Sequence, residues 1–419
     1  MNDTLMNSTT CVIDGFGPLP LVRPNSVADL GDLVRAAAAS KSALYPVGGQ
    51  TKTALGMPPT RPGRTIDLRG LAQVIDFPAR DMTITVQAGI TMQALRDILE
   101  KEKLRLPIDV PEADRATLGG VLATNTSGPR RYGYGTMRDY VIGISALNDE
   151  GNEFKAGGRV VKNVAGYDLC KLLVGSLGTL GIITQVTLKL RPLAEQQAVF
   201  GLGCESAQLE TLLRCLHESR TRPVCLEVLN QAAARIAYTH ANLAIPESPW
   251  TVLVGYEGNG DAVSWQVQQL VKEVGTDCSL EARVDFPAMP LCHALCEFAA
   301  APHHAVTFKA NLLPSEVAAF CVAADQGPLR PAVRAHAGSG IVYGNWSADL
   351  TKEQAGSILT TWRERARQGA VIVQRCPSDW KAGLNVWGPA PHDVALMHAI
   401  KAKFDPNRIF NPGRFVDGI

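Results

Sequence analysis

No charge of one sign prevails in this sequence of 419 residues: 41 Lys and Arg face 40 Asp and Glu, which leaves +1. A near-neutral chain has no electrostatic footprint for nucleic acid or for an acidic membrane surface. A run of ~18 apolar residues is also lacking, so no bilayer-spanning helix is expected. The opening MNDTLMNSTTCVID has neither a basic start nor an apolar stretch, so no secretory signal is expected. The N-x-[ST] triplets beginning at Asn2, Asn7, Asn125 and Asn345 are therefore read as chance matches. Cysteine clusters are missing too. The ten cysteines (Cys11, Cys170, Cys204, Cys215, Cys225, Cys278, Cys292, Cys296, Cys321 and Cys376) form no C-x-x-C. The closest pair, Cys292 and Cys296, is one helical turn apart, so no iron–sulfur or zinc framework is expected. Free thiols suit a reducing cytoplasm. The expected location is cytoplasmic, with any attachment to an inner membrane made through partners.

Apolar residues make up 46% and charged residues 19%, an ordinary globular balance that excludes a disordered chain. The length suits two or three domains. Ser26 and Asp29 are spaced as a capping box before a helical pattern. Ala43 to Val47 reads as a strand, followed by short strands at Ile66–Leu68 and Val74–Ile75. Residues 83–88 alternate as a half-buried strand. Met92, Leu95, Ile98 and Leu99 mark a helix face. Ile182, Val186, Leu188 and Leu190 share one face of a strand, and Pro192 closes this region. From 196 the order becomes strand, helix, strand, strand, helix, strand, ending near Val284. It recurs as strand 306–312, helix 315–324, strands 332–336 and 341–345, helix 352–367 and strand 370–375. Two such units predict one antiparallel sheet with helices on one face. A last helix is expected over 391–403.

Glycine is abundant, at 38 residues, and concentrates between Gly48 and Gly181. Three loops carry it. In Pro46-Val47-Gly48-Gly49-Gln50-Thr51, a strand enters paired glycines. Such a turn can aim successive N–H groups into one concavity suited to a diphosphate, with Thr51 and Lys52 adding a hydroxyl and a charge. The second runs from Thr117 to Gly128. Its Leu118, Gly119, Gly120 and Ala123 let a flat or charged ligand touch the backbone, and Thr117, Thr124, Asn125 and Ser127 offer polar contacts. Tyr132-Gly133-Tyr134-Gly135 follows as another loop of close approach. The third holds Gly166-Tyr167-Asp168 and then Gly175-x-x-Gly178-x-x-Gly181. That spacing enters a strand instead of leaving one, so it is no Rossmann fingerprint, and there is no Walker A sequence. Each loop alone could be structural packing. Together they suggest an extended ligand with a diphosphate and flat rings, such as FAD.

RRYGYGTMRDYV, KNVAGYDLCKLLVGSLGTLGIITQVTLKLRP and the terminal KFDPNRIFNPGRF resemble the flavoproteins of the vanillyl-alcohol oxidase type, and within them the branch of glycolate oxidase FAD-binding subunits. The resemblance covers about residues 22–192 and 391–415 and is weak between them. It implies an α+β fold: a two-part PCMH-type FAD-binding domain over 1–195, an α/β cap over 196–388, and a segment over 389–419 returning to the FAD domain. It implies that the GGQT turn holds the pyrophosphate, and that residues 117–128 line the flavin. Gly178, Gly181 and the backbone of Ile182 would lie beside the adenine, and Asn411 near the flavin. Gln50 departs from the commoner GGGTS-like form. None of the eight histidines falls in the FAD half, so FAD is expected to be non-covalent.

Relatives that oxidise 2-hydroxy acids carry a motif HAGDGNxH whose histidines serve a divalent metal. Here the stretch is HAGSGIVY, with Ser339 and Tyr343 at two of its positions. A neutral phenol binds a divalent ion poorly, so no metal is expected. His336 is a conceivable base, and Tyr343 is the other weak catalytic candidate. His303-His304 is expected as a solvated loop pair. Trp346, Trp380 and Trp387 are expected to pack in a core or interface. The leading expectation is an FAD-binding oxidoreductase subunit, with a homologous catalytic flavoprotein and an iron–sulfur subunit as partners, oxidising glycolate or D-lactate. The rivals are a stand-alone flavin dehydrogenase or oxidase and a non-catalytic FAD-binding subunit.

Overall fold

The computed structural model describes residues 9–158, 168–275, 279–301, 304–327, 329–347, 349–367 and 369–419. The expectations at Asn2, Asn7, Gly166, Tyr167, Cys278 and His303 lie outside these residues.

The glycine-punctuated first half builds two sheets. Strands β1 (Thr10–Ile13), β2 (Phe16–Val22), β3 (Ala43–Val47) and β4 (Gly63–Asp67) lie in the order β1-β2-β4-β3. The β2, β4 and β3 neighbours run parallel, and helix Val27–Ser40 makes the crossover. Ser26 Oγ accepts from the Asp29 amide at 3.0 Å, as expected of a cap, while the Asp29 carboxylate turns to the Asn25 amide. The second sheet follows from β5 (Val74–Asp76) and β6 (Thr83–Gln87). The short β7 (Leu104–Arg105) leaves it to pair elsewhere. After β8 (Val141–Leu147), β9 (Glu153–Gly157) and β10 (Ile182–Lys189), the antiparallel order is β5-β6-β10-β8-β9, and β11 (Arg191–Pro192) is the partner of β7.

Strict alternation predicts Ile182 on the same face as Val186. A register shift between Ile183 and Gln185 breaks that alternation. Ile182 instead joins Leu30, Val34 and Ile66 in the core under helix Val27–Ser40, while Val186, Leu188 and Leu190 fill the neighbouring core.

The later half forms one sheet. Its strands are β12 (Gln196–Cys204), β13 (Cys225–Asn230), β14 (Trp250–Gly258), β15 (Ser279–Val284), β16 (Val306–Asn311), β17 (Ala332–His336), β18 (Ile341–Trp346) and β19 (Ala370–Arg375). Their order, β15-β12-β14-β13-β17-β18-β16-β19, sets two βαββαβ units side by side with reversed sequence of strands. Alternate residues such as Phe308, Val333, Ala335, Val342 and Val373 bury against helices Leu209–Glu218, Gly260–Val274, Val317–Asp325 and Lys352–Arg365. Helices on one face is only part of the arrangement. Helices Gln231–His240 and Met289–Glu297 cover the other face of the first unit, with Ala233, Ala237, Leu291 and Leu295 packed on Val199, Leu229 and Leu253. Among the described residues no helix covers the second unit in this way, because a 3-10 turn (Ala337–Ser339) joins β17 to β18 directly.

The later half is held against the first half by buried polar ties. Glu257 on β14 accepts from Arg105 at 2.5 Å, Tyr134 at 3.0 Å and Arg130 at 3.3 Å. Lys381 Nζ donates to Asp14 at 2.7 Å and to the Gly56 carbonyl at 2.8 Å. Helix Val394–Phe404 then carries the chain back, and Lys401 Nζ donates to the Thr179 carbonyl at 2.7 Å. Beyond it, Leu44 N donates to Ile409 O at 2.7 Å and Asn411 N to Leu44 O at 3.0 Å. Among the described residues no helix is long and apolar enough to cross a membrane.

Candidate active site between the glycine loops and the cap sheet

Strand β3 ends at Val47, and the paired glycines that follow touch protein, not open space. A Cβ on Gly48 would lie 2.0 Å from Thr117 Oγ1, and one on Gly49 would lie 1.8 Å from the Arg115 carbonyl oxygen. The pair therefore lets two loops meet. Carbonyls of this turn are engaged: Gly49 O accepts from Arg115 at 3.1 Å, and Thr53 O and Leu55 O accept from Arg414 at 2.7 and 2.6 Å. The N–H groups of Gly49, Gln50, Thr51 and Lys52 have no acceptor among the described residues. Four successive free donors beside a cleft suit the oxygens of a diphosphate. Gln50 sits at φ +59° and its amide oxygen accepts from the Cys11 thiol, so its side chain is occupied elsewhere.

The opposite wall is the segment 117–128. Thr117 Oγ1 accepts from Gly120 N at 3.4 Å and starts helix Leu118–Thr124, which stops at Asn125 in the left-handed region. Asn125 Oδ1 is buried with no partner among the described residues, an acceptor left for a ligand. Two adjoining cavities share Thr51, Lys52, Leu55, Pro111, Thr124, Thr126 and Leu177 and so form one cleft.

Of the residues expected at the cofactor, Pro46, Val47, Gly48, Gly49, Gln50, Thr51, Thr117, Gly120, Ala123, Thr124 and Asn411 line the first cavity, and Asn125, Ser127 and Gly128 the second. Asn411 is fixed by its Nδ2 donating to Leu177 O at 2.6 Å. The remaining six are not among the residues that line these two cavities. Leu118 and Ile182 are core side chains. Gly119 backs onto Ala88, Gly178 onto Asn411 and Gly181 onto the Leu147 carbonyl. The ring of Tyr132 lies where a Cβ on Gly338 would be 2.3 Å away, so it joins the loops to the His336 turn.

The cap supplies the far wall from the uncovered face of its second unit. Thr307 and Lys309 on β16, Arg334 and His336 on β17, Tyr343 and Asn345 on β18 and Gln374 on β19 line the second cavity. Glu227 on β13 lies directly opposite His336 in the register. Its Oε1 is 2.5 Å from His336 Nδ1, and its Oε2 accepts from Arg334 Nε at 2.8 Å. Burial by itself would raise the Glu227 carboxyl, but His336 and Arg334 hold it below the usual carboxylate range. Burial, with Arg334 nearby, lowers His336, so its imidazole is neutral near pH 7. Nδ1–H then donates to Glu227 and Nε2 is an acceptor. Burial raises the Tyr343 phenol, which stays protonated. Lys309 is pushed down to about 8 by burial and by Arg131 and Lys52.

His304 is buried against the Phe298 ring at 5.0 Å instead of being a solvated loop residue. Trp346 is in the cap core, and Trp387 lines the second cavity with its Nε1–H on the Arg414 carbonyl at 3.2 Å. Among the described residues no group of three His, Cys, Asp or Glu is placed to hold a metal ion. Glu227, Lys309 and Arg334 were not among the expected site residues. Their only sequence signal is polar–apolar alternation inside strands, which says that a face is not core but not what it meets.

The family described as FAD binding domain matches residues 18–157, and that of the C-terminal domain of FAD linked oxidases matches residues 389–415. Glycolate oxidase subunit GlcD of Bacillus subtilis (strain 168) is 27% identical over 418 residues, covering 95% of this chain and 88% of that protein. Glycolate oxidase subunit GlcE of Escherichia coli (strain K12) is 36% identical over 160 residues, covering 38% of this chain and 45% of that protein. A crystal structure of p-cresol methylhydroxylase with substrate bound superposes with a TM-score of 0.75 at 14% identity, covering 97% of this chain and 91% of that one. The free donor run, the orphan acceptor at Asn125 and these matches agree: the chain carries an FAD-binding domain over residues 18–157 and the C-terminal segment of the FAD linked oxidases over residues 389–415, and along most of its length it is similar to FAD-dependent oxidoreductases.

Proposed function

We propose that this chain takes part in oxidising a 2-hydroxy acid, such as glycolate or D-lactate, to the 2-oxo acid, with the electrons passing on to a partner. The observation that carries this reading is the meeting, in one cleft, of the free Gly49–Lys52 donors with the Glu227–His336 pair. The names of the glycolate oxidase relatives support the substrate class. When bound, FAD supplies a two-electron acceptor for the hydride on C2 of the substrate. Gly49, Gln50, Thr51 and Lys52 would hold its diphosphate through their amides, Asn125 and Asn411 would offer it polar side chains from the same cleft, and no histidine of the first half offers a covalent link. His336 Nε2 takes the substrate hydroxyl proton, and Glu227 fixes the tautomer that leaves Nε2 free and stabilises the imidazolium that forms. The cap sheet closes the cleft over the reacting atoms and limits water there.

On this reading the chain divides into an FAD domain over 1–195, a cap over 196–388 and a returning segment over 389–419. A homologous flavoprotein and an iron–sulfur subunit serve as partners, since the scattered cysteines supply no cluster of their own. The Glu227–His336 pair favours turnover by this chain itself over a purely assisting role. The test is anaerobic addition of glycolate or D-lactate to the purified FAD-loaded chain. Bleaching of the visible flavin absorbance without partners is expected, and it removes the assisting role. Bleaching that needs the partner flavoprotein removes the chain's own turnover. A preparation that takes up no FAD ends the reading altogether.

A further inference from the structure

Strand pairing sets Arg334, Tyr343 and Lys309 in one row across β17, β18 and β16. Neighbouring strands are about 4.8 Å apart, so the three side chains rise from a strip roughly 10 Å wide on the face toward the cleft. Arg334 is 3% exposed, and its guanidinium is nearly committed: Nε donates to Glu227 and Nη1 to the Leu295 carbonyl at 2.6 Å. Its Nη2 is buried and has no partner among the described residues. Glu227 accepts from His336 through Oε1 and from Arg334 Nε through Oε2, and neither oxygen is hydrogen-bonded to Nη2. The cavity at this end is lined by Lys52, Lys309, Arg334 and Arg375 and, among the described residues, by no Asp or Glu. A low-dielectric wall with cations and no counter-charge attracts an anion. His336 stands two residues along β17 from Arg334 on the same face, about 7 Å away along the strand.

We propose that Arg334 Nη2, aided by the Tyr343 hydroxyl and Lys309 Nζ, binds the carboxylate of the ligand at the cap end of the cleft. This deepens the 2-hydroxy acid reading and rests on it. A carboxylate on the row of Arg334 leaves the adjacent hydroxyl to reach His336. Arg334 is thus the specificity residue that separates a hydroxy acid from a neutral alcohol of the same size. Arg334 offers a single free nitrogen, so the second carboxylate oxygen depends on Tyr343 and Lys309.

The test titrates the FAD-loaded chain with oxalate and with neutral glycolamide, in EDTA, following flavin difference spectra and heat. Oxalate is expected to bind and glycolamide to bind at least 50-fold more weakly. Arg334→Gln is expected to weaken oxalate about 100-fold, with Arg334→Lys recovering part of it. Lys309→Met, which breaks no ion pair, is expected to weaken it about 10-fold in a protein that melts like the parent. Oxalate affinity unchanged in Lys309→Met and Arg334→Gln overturns the assignment, as does binding that EDTA abolishes. Oxalate binding that depends on Arg334 in a chain that no 2-hydroxy acid reduces keeps this site and removes the substrate reading. Reduction by glycolate with the same KM in Arg334→Gln does the reverse.

Discussion

The two units of the cap sheet start from the same strand order and end with opposite surfaces. In the first unit, helices Gln231–His240 and Met289–Glu297 seal the face that looks away from the four outer helices, and the residues pointing there are Val199, Leu229 and Leu253. In the second, β17 turns straight into β18, no helix intervenes, and the equivalent positions are Thr307, Lys309, Arg334, His336, Tyr343 and Asn345. Duplicated topology therefore does not duplicate function. One connection, long enough for a helix or short enough for a turn, decides whether a sheet face becomes core or becomes the wall of a site.

Glu227 lies on the seam between the units, and its removal is expected to have the largest effect. Glu227→Ala leaves Arg334 buried without its counter-charge, at a cost of about 3–5 kcal/mol in a urea melt. Glu227→Gln keeps the shape but removes the charge that stabilises an imidazolium, and a fall of roughly 100- to 10,000-fold in flavin reduction rate is expected by stopped flow. A Glu227→Gln protein that reduces at the parent rate would break the assignment of His336 as proton acceptor.

Leu253 tests the sealed half. Leu253→Ala is expected to cost about 2–5 kcal/mol in stability while leaving KM unchanged. Gln374→Leu on the open half is expected to do the reverse, shifting KM several-fold with a melting curve like the parent. Exchange of these outcomes would show that the two faces have been assigned the wrong way round.

The loops opposite the sheet sharpen the comparison. Gly49→Ala places a methyl 1.8 Å from the Arg115 carbonyl, so the loops must part, and a flavin-to-protein ratio well below that of the parent is expected. Gly158→Ala, where nothing among the described residues lies within 4 Å, serves as the matched control and is expected to load fully.

The smallest effects are those of pH. Lys309 is charged below about 8, so anion affinity is expected to fall as pH rises through that value and to level off in Lys309→Met. Lys309 is faced by Arg131 and Lys52, which lower it, and by Tyr343 across the strand, which stays neutral there. Binding an anion raises the lysine's pKa, so proton uptake on binding near pH 8 is the matching calorimetric signal. At the other end, the buried neutral His336 has its pKa depressed in the folded protein. Its contribution to stability is complete above the unfolded value near 6.5 and is lost as pH falls below it, so an acid-side drop in melting temperature is expected to shrink in His336→Gln.

Much of this was legible in the letters. Ser26 at a helix start, the βαββαβ order and the glycine loops each rest on local rules, a side chain reaching its own backbone or a period of two or 3.6 residues. Helix Gln231–His240 is faint in the sequence because QAAARIAYTH buries mostly alanines, which carry little apolar signal. Ile182 changed cores because a bulge is a property of two paired strands, and a single strand does not announce it.

What the sequence by itself determined is chemical capacity: free thiols without a cluster, glycine turns with donors to spare, a broken HAGDGNxH-like stretch and two repeated sheet units. What only the tertiary structure decided is company. Glu227 and His336 are 109 residues apart, and Lys381 meets Asp14 across 367. Burial then turned an ordinary Arg–Glu–His set into a neutral imidazole beside a guanidinium with one nitrogen to offer. Such pairings depend on strand register and on the water excluded around them, and both arise only when distant segments pack.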